Sequence, residues 1–131
     1  MRKSLSVIIT VLVLSSFVKI SSLKGTWQYA GGMSGGKFYS APKDYSQQRV
    51  YTKDKFEAFL LEKGEKPLKY ESGDYSLTAD SCFETQTYSL QPSFLTGKLI
   101  HYSYTIKNDT LFLKGKLPNG IEVEDFWKKV K

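Results

Sequence analysis

The chain has 131 residues, a formal net charge of +6 and a single cysteine, Cys82. This length accommodates one small domain and leaves no room for a second. The 19 basic residues are interspersed with 13 acidic ones, which excludes the clustered basic surface typical of nucleic-acid binding. One cysteine excludes an intrachain disulfide framework, so we expect Cys82 to be a small buried apolar residue rather than a reactive thiol.

Residues 1–22 have the layout of a secretory signal peptide. Arg2 and Lys3 precede an uncharged, largely apolar run at 5–18, and small residues end the segment. The run is shorter than the roughly 20 apolar residues that span a bilayer. We therefore predict cleavage near residue 22. The alternative is an uncleaved membrane anchor, because no Ala-x-Ala cleavage site is present.

The signal peptide predicts a secreted or periplasmic domain at residues 23–131. Its removal would take away three of the 19 basic residues and lower the formal net charge from +6 to +3. Cys82 lies far from the signal peptide, so no cysteine stands where a bacterial lipoprotein carries its lipid. We expect a monomer that has no nucleic-acid partner and no stable membrane insertion once the signal is removed.

The segment after the signal peptide is predicted to be all-β, with eight strands. Runs of β-branched and aromatic residues, separated by turn residues, occur at 24–30, 47–53, 68–79 and 81–90. The glycine-rich stretch at 31–36, GGMSGG, is predicted to be a flexible connecting or portal loop.

Two further segments are less regular. DKFEAFLLEKG, at 54–64, has Phe56 and Phe59 at helical spacing, but its neighbours all have strand patterns, so we predict a strand there. QPSFLTGKL is interpreted as a short helical turn near 92–97, ahead of a strand that begins near Lys98.

The C-terminal part of the chain has the clearest strand register. A two-residue loop at 108–109 makes one side of the first hairpin wholly apolar or aromatic. A three-residue loop at 118–120 extends this apolar face and pairs Lys116 with Glu122 on the polar face. A shift by one residue would mix the two faces, so their agreement determines the register.

The same register places one carboxylate, Asp125, on the apolar face. Asp125 faces Leu113 and lies between Val123 and Trp127 in the sequence. Burial of an unpaired carboxylate is costly enough to shift its pKa. Two interpretations remain: Asp125 lies near a barrel mouth, partly hydrated or bonded to a tyrosine hydroxyl, or it is a polar anchor inside a ligand cavity.

Both ends of the predicted domain carry a family likeness. KGTW, with Gly25 and Trp27, resembles the Gly-x-Trp signature of the lipocalin and calycin barrels. NDTLFLKGKLPNGIEVEDFWKKV resembles the last two strands of small lipocalin-like domains of secreted bacterial proteins. The resemblance implies an eight-stranded antiparallel up-and-down barrel, in which Trp27 plugs the closed end and a basic residue of the last strand, Lys129 or Lys128, packs over it. It also implies a small ligand in the barrel.

The aromatic residues are the candidates for lining such a barrel. The chain has nine Tyr, eight Phe and two Trp, and a tyrosine offers an amphipathic ligand both an apolar ring and a polar tip. The predicted ligand-binding residues are Tyr29, Tyr51, Phe59, Tyr75, Tyr102, Tyr104 and Asp125, and the predicted structural residues are Gly25, Trp27, Trp127 and Lys129. The alternative is that these rings simply fill a small core.

Residues for a catalytic or metal site are scarce. His101 is the single histidine, and the register places it on the polar face, where we expect an exposed side chain. One His and one Cys predict no metal site, and GGMSGG does not stand between a strand and a helix as a phosphate-binding loop would. We predict no cofactor and no enzymatic activity.

The sequence is compatible with three functions. The preferred one is a secreted protein that binds a small apolar or amphipathic ligand, the second is a filled barrel that binds a protein or glycan through its surface or rim, and the third is an enzyme using Asp125 and tyrosines. A cavity of several hundred Å³ would favour the first, and a filled barrel with an exposed apolar patch the second. A strongly raised pKa of Asp125 in an open cleft would favour the third.

Overall fold

The computed structural model describes residues 22–131, which form nine β-strands. The strands are β1 (Gly25–Ser34), β2 (Lys37–Tyr39), β3 (Ser46–Tyr51), β4 (Lys55–Leu61), β5 (Leu68–Leu77), β6 (Ser81–Ser89), β7 (Leu99–Lys107), β8 (Thr110–Lys116) and β9 (Glu122–Lys129). Residues 22–131 contain no helix, so this part of the chain has no helix that is long and apolar enough to cross a membrane. The predicted signal peptide at 1–22 lies outside the described residues except for Ser22.

Eight of the strands close into an antiparallel barrel. Strands β1 and β3 to β9 pair in the order β1-β3-β4-β5-β6-β7-β8-β9, and β9 pairs back with β1. The short strand β2 is an addition: it pairs with residues 32–34 of β1, beyond the residues of β1 that pair with β3. The predicted eight-stranded antiparallel barrel is therefore confirmed, with one extra strand. Closure pairs the strand edges that an open sheet would leave exposed.

The predicted register of the two C-terminal hairpins is confirmed. Asn108 and Asp109 both have positive φ, 52° and 57°, as a two-residue hairpin loop with the twist of the adjoining strands requires. In the second hairpin the Leu117 N–H donates to the Ile121 carbonyl oxygen at 2.9 Å, which closes the three-residue loop 118–120.

The two less regular segments have different outcomes. The strand predicted within 54–64 is confirmed as β4. The short helical turn near 92–97 is wrong, because residues 94–97 form only a hydrogen-bonded turn. Gly97 has a φ of +80° and its N–H donates to Gln86 of β6 at 2.8 Å, so the segment is bonded back to the barrel instead of continuing the consecutive bonds that a helix needs.

The prediction of a flexible loop at 31–36 is also wrong. Strand β1 continues to Ser34, and only Gly35 and Gly36 form the turn into β2. The extension is stable because β1 pairs with β9 on one side and with β2 on the other. Gly32 belongs to this extension: a Cβ there would press against the Glu124 carbonyl oxygen of β9, so a side chain would force the two strands apart.

Three β-bulges change which residues face the barrel interior. They add Ala30 to β1, Tyr70 to β5 and Thr87 to β6, each without a partner in the adjoining register. A bulge places two residues opposite one and re-aims the side chains near it. This local irregularity brings the consecutive residues Tyr70 and Glu71 to the same interior space.

Trp27 fills one end of the barrel, which we call the closed end. Its side chain is 2% exposed, and its indole N–H donates to the Leu23 carbonyl oxygen at 2.8 Å. The Lys129 ammonium lies 4.7 Å from the centroid of the Trp27 ring and donates to the Lys24 carbonyl oxygen at 2.6 Å. Gly25 has a φ of +123°, and a Cβ there would meet Lys129 Nζ, so glycine leaves room for this contact.

We predict that Trp27→Ala destabilises the protein by roughly 3 to 5 kcal/mol, because it leaves a large cavity in the packed closed end. Equilibrium urea denaturation measures the change. The matched control is Phe38→Ala, since Phe38 is 59% exposed and its truncation should cost less than about 0.5 kcal/mol. A loss below about 1 kcal/mol for Trp27→Ala would exclude the role of a plug.

Candidate functional site

The half of the barrel away from Trp27 contains an open cavity of about 450 Å³. All nine strands contribute residues to its wall. Its mouth is framed by the loops after β2, β6 and β8, which contribute Pro42, Leu95 and Leu117. The size falls within the range of small-molecule binding sites.

Aromatic and aliphatic side chains form much of the cavity wall. Tyr29 and Trp127 meet edge to face with their ring centroids 5.3 Å apart, and Phe56, Ile100 and Leu113 add further apolar surface. The indole N–H of Trp127 is buried and has no hydrogen-bond partner among the described residues. The wall therefore offers a large apolar contact area to an occupant.

Arg49, on β3, is the centre of a polar cluster in the same cavity. Only 8% of it is exposed, and its guanidinium lies 4.4 Å from the centroid of the Phe56 ring. One terminal nitrogen donates to the Tyr51 hydroxyl at 2.6 Å and to Glu84 at 3.0 Å. The other donates to Glu71 at 2.8 Å and lies 2.9 Å from the second oxygen of Glu84.

The cluster extends toward the cavity mouth. The side-chain NH₂ of Gln86 donates to the second oxygen of Glu71 at 2.9 Å, and the Thr96 hydroxyl donates to the side-chain Oε1 of Gln86 at 2.8 Å. On the other side, the Tyr51 hydroxyl donates to Glu84 at 2.9 Å. Both carboxylates that face Arg49 are thus held by further donors, which is the condition under which a buried ion pair is tolerated.

Asp125, on β9, is a cavity carboxylate outside this cluster. It takes part in no hydrogen bond or ion pair among the residues that the structure describes. Burial raises its pKa from 3.8 to about 6. The positive charge of Arg49 opposes this rise, whereas the negative charges of Glu84, Glu71 and Glu124 add to it.

Three tyrosine hydroxyls share the cavity with Asp125. Tyr29, Tyr70 and Tyr102 all line it, and none of their hydroxyls bonds to another described residue. Burial raises the pKa of all three, that of Tyr70 to about 12. They therefore stay protonated near neutral pH and can both donate and accept hydrogen bonds.

The structure divides the predicted ligand-binding residues into two groups. Tyr29, Tyr102 and Asp125 line the cavity, and so does Trp127, which was predicted to be structural. The remaining predicted residues lie outside the lining: Tyr51, Phe59, Tyr75 and Tyr104.

Three of the residues outside the cavity have identifiable structural contacts. Tyr51 is buried and holds the Arg49 cluster through its hydroxyl. Tyr75 and Tyr104 belong to the core and donate their hydroxyl hydrogens to the carbonyl oxygens of Thr52 and Thr78. These three rings fill the core, in agreement with the alternative interpretation of the aromatic residues.

Phe59 lies outside the cavity because of the strand it occupies. On β4 the residues whose side chains are buried are Phe56 and Ala58, so Phe59 falls on the other side of the alternation. Phe56 is the phenylalanine of β4 that lines the cavity.

The polar cluster was not predicted from the sequence. Arg49, Glu71 and Glu84 were not singled out, since charged residues are expected on the solvent side of a strand. A usable signal exists in SCFETQTYS, where alternation puts Glu84 and Gln86 on the same face as Cys82. Two strands with opposite charges at inward positions would have predicted a buried ion pair.

His101 and Cys82 have surroundings typical of structural residues. His101 is exposed, stacks on Phe83 with ring centroids 4.8 Å apart and bonds Ser81 Oγ at 2.8 Å. Cys82 is buried, and burial raises the pKa of its thiol, which keeps it in the unreactive protonated form. Residues 22–131 contain no group of three or more His, Cys, Asp or Glu side chains that could hold a metal ion.

The fold and site define an antiparallel β-barrel with a polar-centred internal cavity. No protein-family model matches the chain, and no curated protein matches it in sequence. Two solved structures of the fluorescent protein UnaG are similar to it in part. The asparagine-to-alanine mutant shares 10% identity at a TM-score of 0.42, with 83% of this chain and 96% of that chain covered. For the asparagine-to-glutamine mutant the values are 14%, 0.40, 82% and 96%. The barrel is defined by the strand pairings of the chain itself and not by this similarity.

We predict that Arg49→Met destabilises the protein by about 3 to 5 kcal/mol, because it leaves the carboxylates of Glu71 and Glu84 without their cation. Adding Glu84→Gln to this variant should recover part of the loss. The measurement is urea denaturation at neutral pH. The matched control is Lys55→Met, which breaks an exposed pair with Asp74 (2.7 Å, side chains 67% and 55% exposed) and should cost far less, because solvent screens an exposed ion pair. Equal losses for Arg49→Met and Lys55→Met would contradict the assignment.

Asp125→Asn is predicted to stabilise the protein at pH 7.5 by up to about 3 kcal/mol. The pKa of Asp125 is higher in the folded state, about 6, than in the unfolded chain. Between pH 4 and 6 the folded state therefore binds more protons, and wild-type stability falls as pH rises through this window.

The difference in unfolding free energy between Asp125→Asn and wild type should grow from pH 4 to pH 7 and then remain constant. Glu122→Gln, which removes an exposed carboxylate of β9 that does not contribute to the raised pKa of Asp125, serves as the control and should depend much less on pH. A stability gain for Asp125→Asn that does not vary with pH would show that the carboxylate is not desolvated.

Proposed function

We propose that this chain is an exported binding protein that holds a small amphipathic ligand inside its barrel. The observation that supports this most directly is the cavity of about 450 Å³, whose apolar wall surrounds a few polar groups. Binding sites for small molecules typically combine these two features. The polar groups in the centre favour an amphipathic ligand over a purely apolar one. An apolar occupant would displace the water that hydrogen-bonds to these groups and would offer no hydrogen bonds in its place.

The cavity weighs against the filled-barrel alternative. Side chains fill the closed end around Trp27, but the same closed packing does not continue to the other end. A barrel built only as a rigid surface for a protein or glycan would gain stability from a packed apolar interior in place of an open polar cavity.

Catalysis remains the second candidate function, favoured by the raised pKa of Asp125. A carboxyl with a pKa of about 6 suits a general acid or base. We prefer binding because the terminal N–H groups of Arg49 all point at acceptors of the chain itself, which leaves that cation unavailable to stabilise a developing negative charge. We accordingly propose a carrier without cofactor or enzymatic activity.

Export is the part of the proposal that rests on the sequence of residues 1–22. Expression of the full chain in a bacterial host should yield a soluble periplasmic or secreted product, shortened to begin near Leu23, as measured by intact mass. A product that keeps residues 1–22 and sediments with membranes would instead support the uncleaved anchor.

Native mass spectrometry of protein purified from its producing cells, followed by solvent extraction, tests the binding function. We predict a small molecule in stoichiometric amount. Val123→Trp places a large ring in the cavity wall and should abolish capture. Glu122→Trp adds the same ring at an exposed position of β9 and should capture as wild type does. Equal capture by both variants, or the absence of any bound molecule in wild type, would refute binding in the barrel.

A further inference from the structure

The two terminal nitrogens of Arg49 are already paired within the protein. Together they carry four N–H groups, and these face one hydroxyl and three carboxylate oxygens of Tyr51, Glu71 and Glu84. An anionic ligand would have to displace one of these carboxylates to bind the terminal N–H groups. The most conspicuous positive group of the cavity is therefore not a receptor for anions.

The polar groups left over in the cavity include one that, when ionised, can only accept hydrogen bonds, the carboxylate of Asp125. Asp125 has no hydrogen bond or ion pair with the described residues, and the hydroxyls of Tyr29, Tyr70 and Tyr102 are likewise unbonded. A carboxylate accepts through both oxygens, and a tyrosine hydroxyl can also accept. The hydroxyls can also donate, as can the Trp127 indole N–H, which has no partner among the described residues. The group that needs a donor from the ligand is therefore the Asp125 carboxylate.

The charge of the cavity wall points in the same direction. Its ionisable acidic and basic residues are Arg49, Glu71, Glu84 and Asp125. One cation against three carboxylates leaves two formal negative charges in excess when all are ionised. Low-dielectric walls strengthen the effect of such charges on a ligand compared with bulk water.

Asp125 lies beside an aromatic pair. It pairs with Gly32 of β1, and a point at the position of a Gly32 Cβ would lie 3.0 Å from both Asp125 Oδ1 and the Tyr29 hydroxyl. Tyr29 in turn contacts Trp127, two residues from Asp125 along β9. A cation near the carboxylate would thus also lie within reach of aromatic rings, which attract cations through their π faces.

We infer that the ligand of this cavity carries a protonated amine or similar cationic N–H donor, which Asp125 binds beside the rings of Tyr29 and Trp127. This inference rests on the proposed binding function and adds the chemical class of the ligand. The apolar remainder of the ligand would contact the wall around Phe56, Ile100 and Leu113.

Three naphthalene probes that differ only in charge test the inference: 2-(2-naphthyl)ethylamine, neutral 2-ethylnaphthalene and 3-(2-naphthyl)propionate. Isothermal calorimetry at pH 7.5, on the chain from Leu23 onward, measures their affinities. We expect the ammonium to bind about tenfold or more tightly than the neutral probe, and the carboxylate to bind more weakly than the neutral probe.

Two variants locate the source of the preference. Asp125→Asn should abolish the preference for the ammonium and should still bind the neutral probe. Glu124→Gln removes a carboxylate one residue away that does not line the cavity and should preserve the preference. Retained binding of the neutral probe by Asp125→Asn also shows that the variant is folded.

The outcomes separate this inference from the function on which it rests. If the neutral probe binds and the ammonium binds no better, or if Asp125→Asn keeps the ammonium preference, the inference is wrong and binding in the barrel stands. If none of the three probes binds to wild type, both are overturned. Tighter binding of the carboxylate than of the ammonium would assign the opposite charge to the ligand.

Discussion

The ion pairs of Arg49 are the constraint on which the interior of this barrel depends. Moving a guanidinium out of water is costly, and the cost is offset only when every donor finds an acceptor. Here β3, β5 and β6 supply the members of the cluster, Arg49, Glu71 and Glu84. Strands β3 and β6 are not neighbours in the sheet. The ion pair between Arg49 and Glu84 therefore spans the barrel interior and forms only in the closed barrel.

That polar centre divides the barrel into two halves with different tasks. Toward Trp27 and Lys129 the interior is packed with aromatic and aliphatic side chains, and the buried apolar surface of that half stabilises the fold. Beyond Arg49 the interior opens into the cavity. The packed closed end supports the cavity, because the recognition groups of a binding site work best when a packed scaffold holds them.

The sequence predicted the barrel because its evidence for strands is local. Alternation and turn residues alone determined the hairpins around 108–109 and 118–120, and both registers hold. The same local reasoning could not find the three β-bulges, which depend on how neighbouring strands pair. It therefore missed Tyr70 and Glu71 as consecutive inward residues, and it interpreted 31–36 as a loop although pairing on both sides makes most of it a strand.

The candidate site was predicted in part, and the physical reason is the same. Tyr29, Tyr102 and Asp125 follow from alternation on strands with a secure register, and all three line the cavity. Tyr51, Tyr75 and Tyr104 also alternate inward, but their depth along the barrel axis decides between core and cavity. Alternation carries no information on depth. Arg49 and Glu84 were missed because each is implausible inside a barrel alone and becomes plausible only as a pair.

Asp125 connects the energetics of the fold to its proposed function. An inward carboxylate without a partner is a local inconsistency in an otherwise consistent sequence, and such inconsistencies concentrate at functional sites. Desolvation of this carboxylate raises its pKa and makes the free protein less stable than it would be with a neutral residue there. A cationic ligand removes that penalty and satisfies the carboxylate, so part of the stability lost in the free protein returns as affinity. An anionic ligand would increase the same penalty. The charge that the barrel leaves unpaired thus determines both its stability without ligand and the charge of the ligand it selects.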